Sequence, residues 1–310
     1  MLFIILAILA SALRLATPLI FASLGGVFSE RSGVFNIALE GIMIMGAFFA
    51  VLTTHFTNSP WLGVLTAIIV GIITSLLLAV LAIHLKADQT ITGVAINLLA
   101  TSLTAYLLEI IWHRSGQTDP LQNKMLSKNL FLGLEKIPVL GSFFAQLPVF
   151  VYMAFIMVAV SYYVLWKTPF GLRVRSVGEH PRAADTVGIN VYKTRYICVM
   201  ISGALAGLAG ASLSLGAVNL FREGMTAGKG FIAIAAMIFG KWHPVGAMLA
   251  SIFFGLTEAI QIQASMLGLK VPSEFLQALP YIATILALVG VVGRAVGPAA
   301  GGKPYDKGEK

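Results

Sequence analysis

A chain of 310 residues that is 58% hydrophobic and 11% charged, with a mean hydropathy of +0.89, is too apolar for a water-soluble domain and reads as a polytopic membrane protein. Its net charge of +8 does not point to nucleic acid, because the basic residues cluster in loops between apolar runs and at the C-terminus, where orientation in a bilayer explains them. Cys198 is the single cysteine, which excludes an intramolecular disulfide and a cysteine-based metal site; its place near the start of an apolar run assigns it to packing.

The first apolar element is predicted over residues 2–28. Its first dozen residues have the apolarity of a signal peptide, but no basic region precedes them and the apolar pattern resumes after Arg14. A cation at bilayer depth costs about 2.5–3.5 kcal/mol unless it reaches an interface or faces protein, so Arg14 is expected to snorkel. Further apolar runs follow at 34–55, 61–84, 90–112, 147–166, 195–218, 229–240, 244–264 and 276–293. Most approach the ~20 residues that cross the hydrocarbon core as a helix, whereas 229–240 is short. Barrel strands would need only ~10 alternating residues, so the fold class is all-α: a membrane helical bundle of about 8–10 segments, some broken or short. Residues 1–296 make up the membrane domain. The tail 297–310, rich in Gly and Pro with scattered charge, is expected to be disordered.

One long charged insertion, 167–195, interrupts the second half. It holds Lys167, Arg173, Arg175, Arg182, Lys193 and Arg195 against two acids, Glu179 and Asp185, and a short loop that basic stays in the cytoplasm. Threading the chain from this anchor places 30–31, 86–89, 240–244 and the tail with Arg294, Lys303, Lys307 and Lys310 on the cytoplasmic side, and 113–146 outside. Within the insertion, Pro181 suits a first helical position and Gly188 suits the left-handed residue just past a helix end, so 181–187 is predicted as a short helix outside the bilayer. Charge alone leaves two roles open for it, a helix that docks on a partner and a plain connector.

Acids embedded in apolar runs are costly and mark function by default, which singles out Glu40 and Glu258. Asn36 and Glu40, four apart, are expected on one helix face; Ser251, Glu258, Gln261 and Ser265 share another, and Asn97, Thr101 and Thr104 form a third polar stripe. Two readings fit these stripes. One is a shared substrate path lined by Asn36, Glu40, Asn97, Thr101, Glu258 and Gln261; the other is hydrogen bonding between helices that only holds the bundle together. Aromatics such as Phe35 and Phe48 would suit a nucleoside base and ribose, and equally a sugar. The stretches 33–49 and 228–255 resemble each other, each starting at Gly and reaching a second Gly before continuing as a span, which predicts discontinuous helices in inverted repeats. Gly203 and Gly207 read as a small-residue packing seam.

Enzyme signatures are absent from the sequence. His55, His84, His113, His180 and His243 lack a metal-ligand spacing, and there is no nucleophile elbow. The segment 224–230 falls one residue short of a phosphate-binding loop and lacks its Ser or Thr. The chain is therefore expected to bind no cofactor, and active transport would draw on an ion gradient or on another protein.

Three blocks, 17–51, 171–211 and 228–251, resemble the permease subunits of bacterial ATP-binding-cassette importers, in the branched-chain amino acid, simple sugar and nucleoside permease family. The wording SERSGVFNIALEG in the first block resembles the nucleoside, guanosine-type, uptake permeases. The resemblance covers most of the chain. It implies a multi-pass inner-membrane subunit without its own ATP site, moving a nucleoside into the cell, with a cytoplasmic C-terminus. It also implies partners: a cytoplasmic ATPase that uses ATP and Mg, a second homologous permease subunit, an extracytoplasmic substrate-binding lipoprotein and membrane lipid. The segment 171–190 would then be the piece that docks on the ATPase, with Gly178, Pro181, Ala183, Ala184 and Gly188 matching the family pattern and Glu179, Arg182 and Asp185 among them. Other classes stay in view: a sugar permease of the same family, a secondary transporter coupled to protons through Glu40 or Glu258, and a non-transport scaffold. Whether uptake needs ATP hydrolysis or collapses with the ion gradient separates an ATP-driven importer from the secondary transporter.

Overall fold

In the computed structural model the chain is described over residues 2–121, 147–266, 282 and 296–307. Most of the expected 276–293 span, the middle of the 113–146 stretch with Gln122, the Ser265 side chain, Arg294 and Lys310 lie outside the described residues.

Helix α1 (Leu2–Arg31) carries Pro18 in its interior. Helices α2 (Leu39–Thr57) and α3 (Pro60–Ala79) form a hairpin, and α3 runs on through a wide π-helical turn, Val80–His84. Helix α4 (Gln89–Trp112) starts where Asp88 Oδ1 accepts from the N–H groups of Thr90 and Ile91 at 2.8 and 2.9 Å, two donors that a helix start leaves without an internal partner. Then come α5 (Val149–Lys167), α6 (Pro169–Glu179), α7 (Pro181–Thr186) and α8 (Val191–Ala211), the last extended by π-helical Ser212–Val218. Among the described residues the series ends with the short α9 (Lys229–Phe239) and α10 (Pro244–Met266). Among the described residues 7 helices are long and apolar enough to cross a membrane, and the only strand-like pairing is one bridge between Gln117 and Arg222.

Two boundaries depart from the sequence reading. The start of the charged insertion is helical, because Thr168 Oγ1 accepts from Gly171 N at 3.2 Å and Pro169 fills the first turn of α6. Helix α8 begins at Val191, ahead of the expected 195, because Asn190 Oδ1 accepts from Lys193 N at 2.9 Å. Arg195 thereby falls inside the helix and is 1% exposed.

The centre of the bundle is an antiparallel pair, α1 and α8. Gly25 lies against the Ser202 carbonyl, and where α1 ends, Arg195 Nε donates to the Ser32 carbonyl at 3.2 Å. Helix α3 packs along α8, and in the same way α10 packs along α1. A Cβ on Gly71 of α3 would run into the Gly203 carbonyl, and one on Gly255 of α10 would stand 2.5 Å from the Ala12 carbonyl oxygen, so both contacts are backbone against backbone. Gly71 and Gly255 sit at the same offset from Pro60 and Pro244, which open their helices. The units α1–α2–α3 and α8–α9–α10 are thus one three-helix motif used twice with opposite direction. The likeness between 33–49 and 228–255 falls on the corresponding starts of α2 and α9, while α10 is the counterpart of α3.

All the described basic loops gather at one end of this bundle. Arg31 donates to the carbonyls of Trp242 and Lys241 at 3.0 and 3.2 Å, Trp242 Nε1 donates to Glu30 at 2.6 Å, and Lys86 pairs with Asp306. The opposite end holds 113–121 against 219–223, with Phe221 N donating to Thr118 Oγ1 at 3.0 Å. The segments that charge assigned to one side do share one end. Across that end runs a strap, residues 296–307, whose Ala300 and Gly302 N–H groups donate to the carbonyls of Gly178 and Gly33 at 2.9 and 3.2 Å. This part of the tail departs from the expected disorder: its backbone finds partners and Tyr305, 5% exposed, packs among Val177, Ala184 and Val191. Composition carries no trace of those partners. On the flanks, α3 and α4 expose Trp61, Leu65, Ile69, Ile73, Ile91 and Leu98, the apolar surface that a bilayer covers.

Candidate functional site

Helical order fails between α1 and α2 and again before α9, and the two breaks meet. At the first, Gly33 turns to φ +93° and 34–36 are not helical, so Asn36 and Glu40 do not share the helix face that their spacing suggests. The backbone groups released there are taken by side chains from α4. Gln89 Oε1 accepts from Phe35 N at 2.6 Å, Asn97 Nδ2 donates to the Ile37 carbonyl at 3.0 Å, and Asn97 Oδ1 accepts from Gly41 N at 2.7 Å. Non-helical backbone at membrane depth persists only where protein or water satisfies it, and Asn97 does this for both sides of the break. Asn36 Nδ2 donates to Ser202 Oγ at 2.9 Å; its Oδ1 is buried without a protein partner.

At the second break Gly228, φ +81°, precedes α9. Eleven residues of helix span about 16 Å, half of the ~30 Å hydrocarbon core, so the α9 N-terminus lies near mid-depth. There the Glu40 carboxylate closes over it, accepting from Gly228 N at 2.8 Å and Gly230 N at 2.6 Å. A carboxylate is favoured at that position by the partial positive charge of the free N–H groups. Lys229, between them, places its ammonium 2.7 Å from each oxygen of Glu258 on α10; the two side chains are 12% and 29% exposed. Thr101 is exposed and its hydroxyl donates to the Asn97 carbonyl at 3.0 Å, while Gln261 is half-buried on α10. Phe48 is fully buried, edge to face with Phe49, Trp112 and Phe221, and is a packing residue.

The second cluster of expected residues forms a platform at the basic end. Gly178 lets α6 lie against the Arg31 carbonyl, where any Cβ would collide. Glu179 approaches Arg31 at 4.0 Å and accepts from Ala299 N at 3.3 Å, and Asp185 pairs with Lys307 at 3.3 Å. Pro181 opens α7 and Gly188 follows it at φ +85°. Arg182, Ala183 and Val187 are exposed, whereas Ala184 turns inward under Tyr305. A groove of about 440 Å³ runs beside α7, lined by Leu172, Arg175, Ser176, Ala183, Val187 and Ile189 among others. Behind it, Trp166 carries the guanidinium groups of Arg31 and Arg175 at 5.7 and 5.6 Å and meets His243 at 4.6 Å. Burial, then the nearby Arg31 charge, lowers the His243 pKa, and burial followed by Asp185 raises that of Tyr305.

Residues 8–288 match the family model for the permease component of branched-chain amino acid transport systems. The chain belongs to this permease family. Over 98% of its length the permease is 48% identical to the guanosine ABC transporter permease protein NupQ of Bacillus subtilis, covering 97% of that protein. It is 44% identical to the nucleoside ABC transporter permease protein NupC of Lactococcus lactis, with 97% and 96% of the two chains covered. The ABC transporter permease protein TsgC13 of Haloferax volcanii is more distant, at 36% over 84% of the permease and 79% of that protein. No solved structure matches.

Of the six residues expected on a path, the permease brings Asn36, Glu40 and Asn97 to the breaks, leaves Thr101 exposed one turn along α4 from Asn97, and sets Glu258 against Lys229; Gln261 lies one turn beyond Glu258. Sequence reasoning missed Lys229 as the counter-ion and Gln89 and Ser202 as supports. An available signal for Lys229 existed: an acid embedded in a span requires a cation, and Lys229 opens the one span too short to place its start at an interface.

Proposed function

We propose that this permease is the transmembrane subunit of an ATP-driven importer that moves a nucleoside into the cell, energised by a separate ATPase seated on its basic end. The observation that carries the reading is the platform formed by α6 and α7. Helix α7 is 6 residues long, too short to persist alone in water, yet its two ends carry Pro181 and Gly188, and Ala183 and Val187 beside it, with Leu172 of α6, are left uncovered along an open groove. An apolar knob and groove outside the bilayer, ringed by charge, suits protein contact. The basic end then faces the cytoplasm, as loops rich in Lys and Arg do, and the strap ends there. A second permease subunit and an extracytoplasmic binding protein complete the complex, and the ATPase is the subunit that uses ATP and Mg. Nearly full-length likeness to NupQ and NupC supports a nucleoside as the solute.

The test is uptake of labelled guanosine by the reconstituted complex. Uptake should require ATP and survive collapse of ion gradients. Guanosine uptake that ignores ATP and stops with the proton gradient would make this an ion-coupled transporter, and ATP-driven uptake of glucose in its place would shift the solute class.

A further inference from the structure

At the basic end a cavity of about 580 Å³ opens between α7 and the strap. Five charged side chains line it: Glu179 at the end of α6, Arg182 on α7, Arg195 on α8, and Lys303 and Asp306 on the strap. Glu179 faces Arg31 and the Ala299 N–H, and Asp306 pairs with Lys86. Arg31 and Lys86 thus stand behind the two acids, and the surroundings of the cavity are positive.

Arg195 decides what this space can hold. Its side chain is 1% exposed, and among the described residues no carboxylate is paired with it. Nε and Nη1 donate to the carbonyls of Ser32 and Lys303 at 3.2 and 3.1 Å, while Nη2 is buried without a hydrogen-bond partner. A buried guanidinium in that state lacks both a counter-charge and an acceptor, and each lack is costly. An oxyanion supplies the two together, and the planar fork of Arg matches phosphate oxygens in particular. The cavity has the size of a small-molecule site and exceeds what a bare phosphate fills; Pro181, Pro304 and Tyr305 give it apolar wall for an attached group.

We infer that this cavity binds a phosphate-bearing anion, with Arg195 as the buried contact and Arg182 and Lys303 meeting it from α7 and the strap. A free phosphate ester of the cytoplasm and the headgroup of an anionic lipid present the same oxygens. Because Arg195 already holds the Lys303 carbonyl, a bound anion would fasten the strap to α7. The site rests on these residues alone, and only the choice of a guanosine ester as probe follows the nucleoside reading above.

Ala299 lines the cavity and is exposed, and Cys198, the single cysteine, is fully buried, so Ala299→Cys puts the accessible thiol of this chain at the site. The full chain with this substitution is reconstituted in neutral phosphatidylcholine nanodiscs and labelled with an uncharged methanethiosulfonate reagent at constant ionic strength. Guanosine monophosphate at ten times its half-protecting concentration should slow labelling about tenfold, and guanosine should leave it within about twofold. Slowing by phosphatidylglycerol nanodiscs alone assigns the phosphate to a lipid headgroup. From either source, protection should weaken about threefold in Lys303→Gln and about tenfold in Arg195→Lys, which keeps a charge and loses the fork. If Arg195→Lys does not assemble, Lys303→Gln carries the test. Labelling that neither phosphate slows, equal slowing by guanosine, or protection that Lys303→Gln leaves undiminished overturns the site. Guanosine uptake by the wild-type complex is measured separately and decides the nucleoside reading whichever way the labelling falls.

Discussion

Glu40 and Gly230 lie close enough that a Cβ on the glycine would stand 2.5 Å from the Glu40 Cα, and the Glu40 carboxylate accepts the Gly230 N–H at 2.6 Å. The first turn of one broken helix therefore seals the N-terminus of the other. Replacing Glu40 by Gln turns one acceptor into a donor that faces an N–H group, at a cost of about 1–3 kcal/mol. The thermal midpoint of purified Glu40→Gln permease should fall accordingly. An unchanged midpoint with transport abolished would instead put Glu40 on the route of the solute.

Lys229 and Glu258 should behave as a unit. Removing one partner of a buried pair leaves the other charge uncompensated, and with solvent reaching 12% and 29% of these side chains the loss for Lys229→Met or Glu258→Gln should be about 1–3 kcal/mol each. The double variant should lose less than the two single losses added together, by at least about 0.5 kcal/mol in a thermodynamic cycle. Strict additivity in denaturation experiments would show that the pair is not coupled.

Ala183 and Ala184 are neighbours with opposite surroundings, one exposed and the other 3% exposed beneath Tyr305. Family matching had grouped both as contacts to an ATPase. Glu at 184 places a charge inside this chain's own packing, so Ala184→Glu should lower the yield and thermal midpoint of the isolated permease. Ala183→Glu should leave both unchanged and lose co-purification with the ATPase. If Ala183→Glu retains its ATPase and its transport, the exposed face of α7 is not the docking surface.

Tyr305 is the anchor of the strap, buried among Val177, Ala184 and Val191, with its backbone carbonyl accepting from Tyr192 at 3.2 Å. Tyr305→Ala should weaken docking by about 2 kcal/mol, which raises the open fraction of the strap roughly 30-fold. Protease cleavage between 296 and 307 reads this directly, and a rate equal to that of the wild type would contradict the packing.

His243 links pH to the basic end. Its pKa is lowered by burial and by Arg31, so folding favours the neutral ring: the contribution is present above the ordinary value of about 6.5 and is lost as pH falls through the folded value. Tryptophan emission, with Trp166 4.6 Å from the His243 ring, should report loosening of this corner below about pH 6.5, and His243→Phe should flatten that dependence.

How much of this was legible beforehand depends on the range of the forces involved. Hydropathy and charge act residue by residue, so they sufficed for a helical membrane bundle, for the loops that share one end, for the short α9 and for the Pro181 and Gly188 signals around α7. Embedded acids were conspicuous for the same reason, since Glu40 and Glu258 stand alone against apolar neighbours. What they bind was not readable. Glu40 meets Gly228 and Gly230 from almost 190 positions away, Asn97 repairs a break some 60 residues upstream, and Lys229 finds Glu258 across a helix hairpin. Such pairings satisfy buried polar groups, and which groups become buried together is decided only when α1 and α8 pack and draw the two inverted units face to face. The strap follows the same rule: its Gly and Pro content marks it as irregular chain, and only the folded platform supplies the carbonyls of Gly178 and Gly33 and the apolar seat for Tyr305 that hold it.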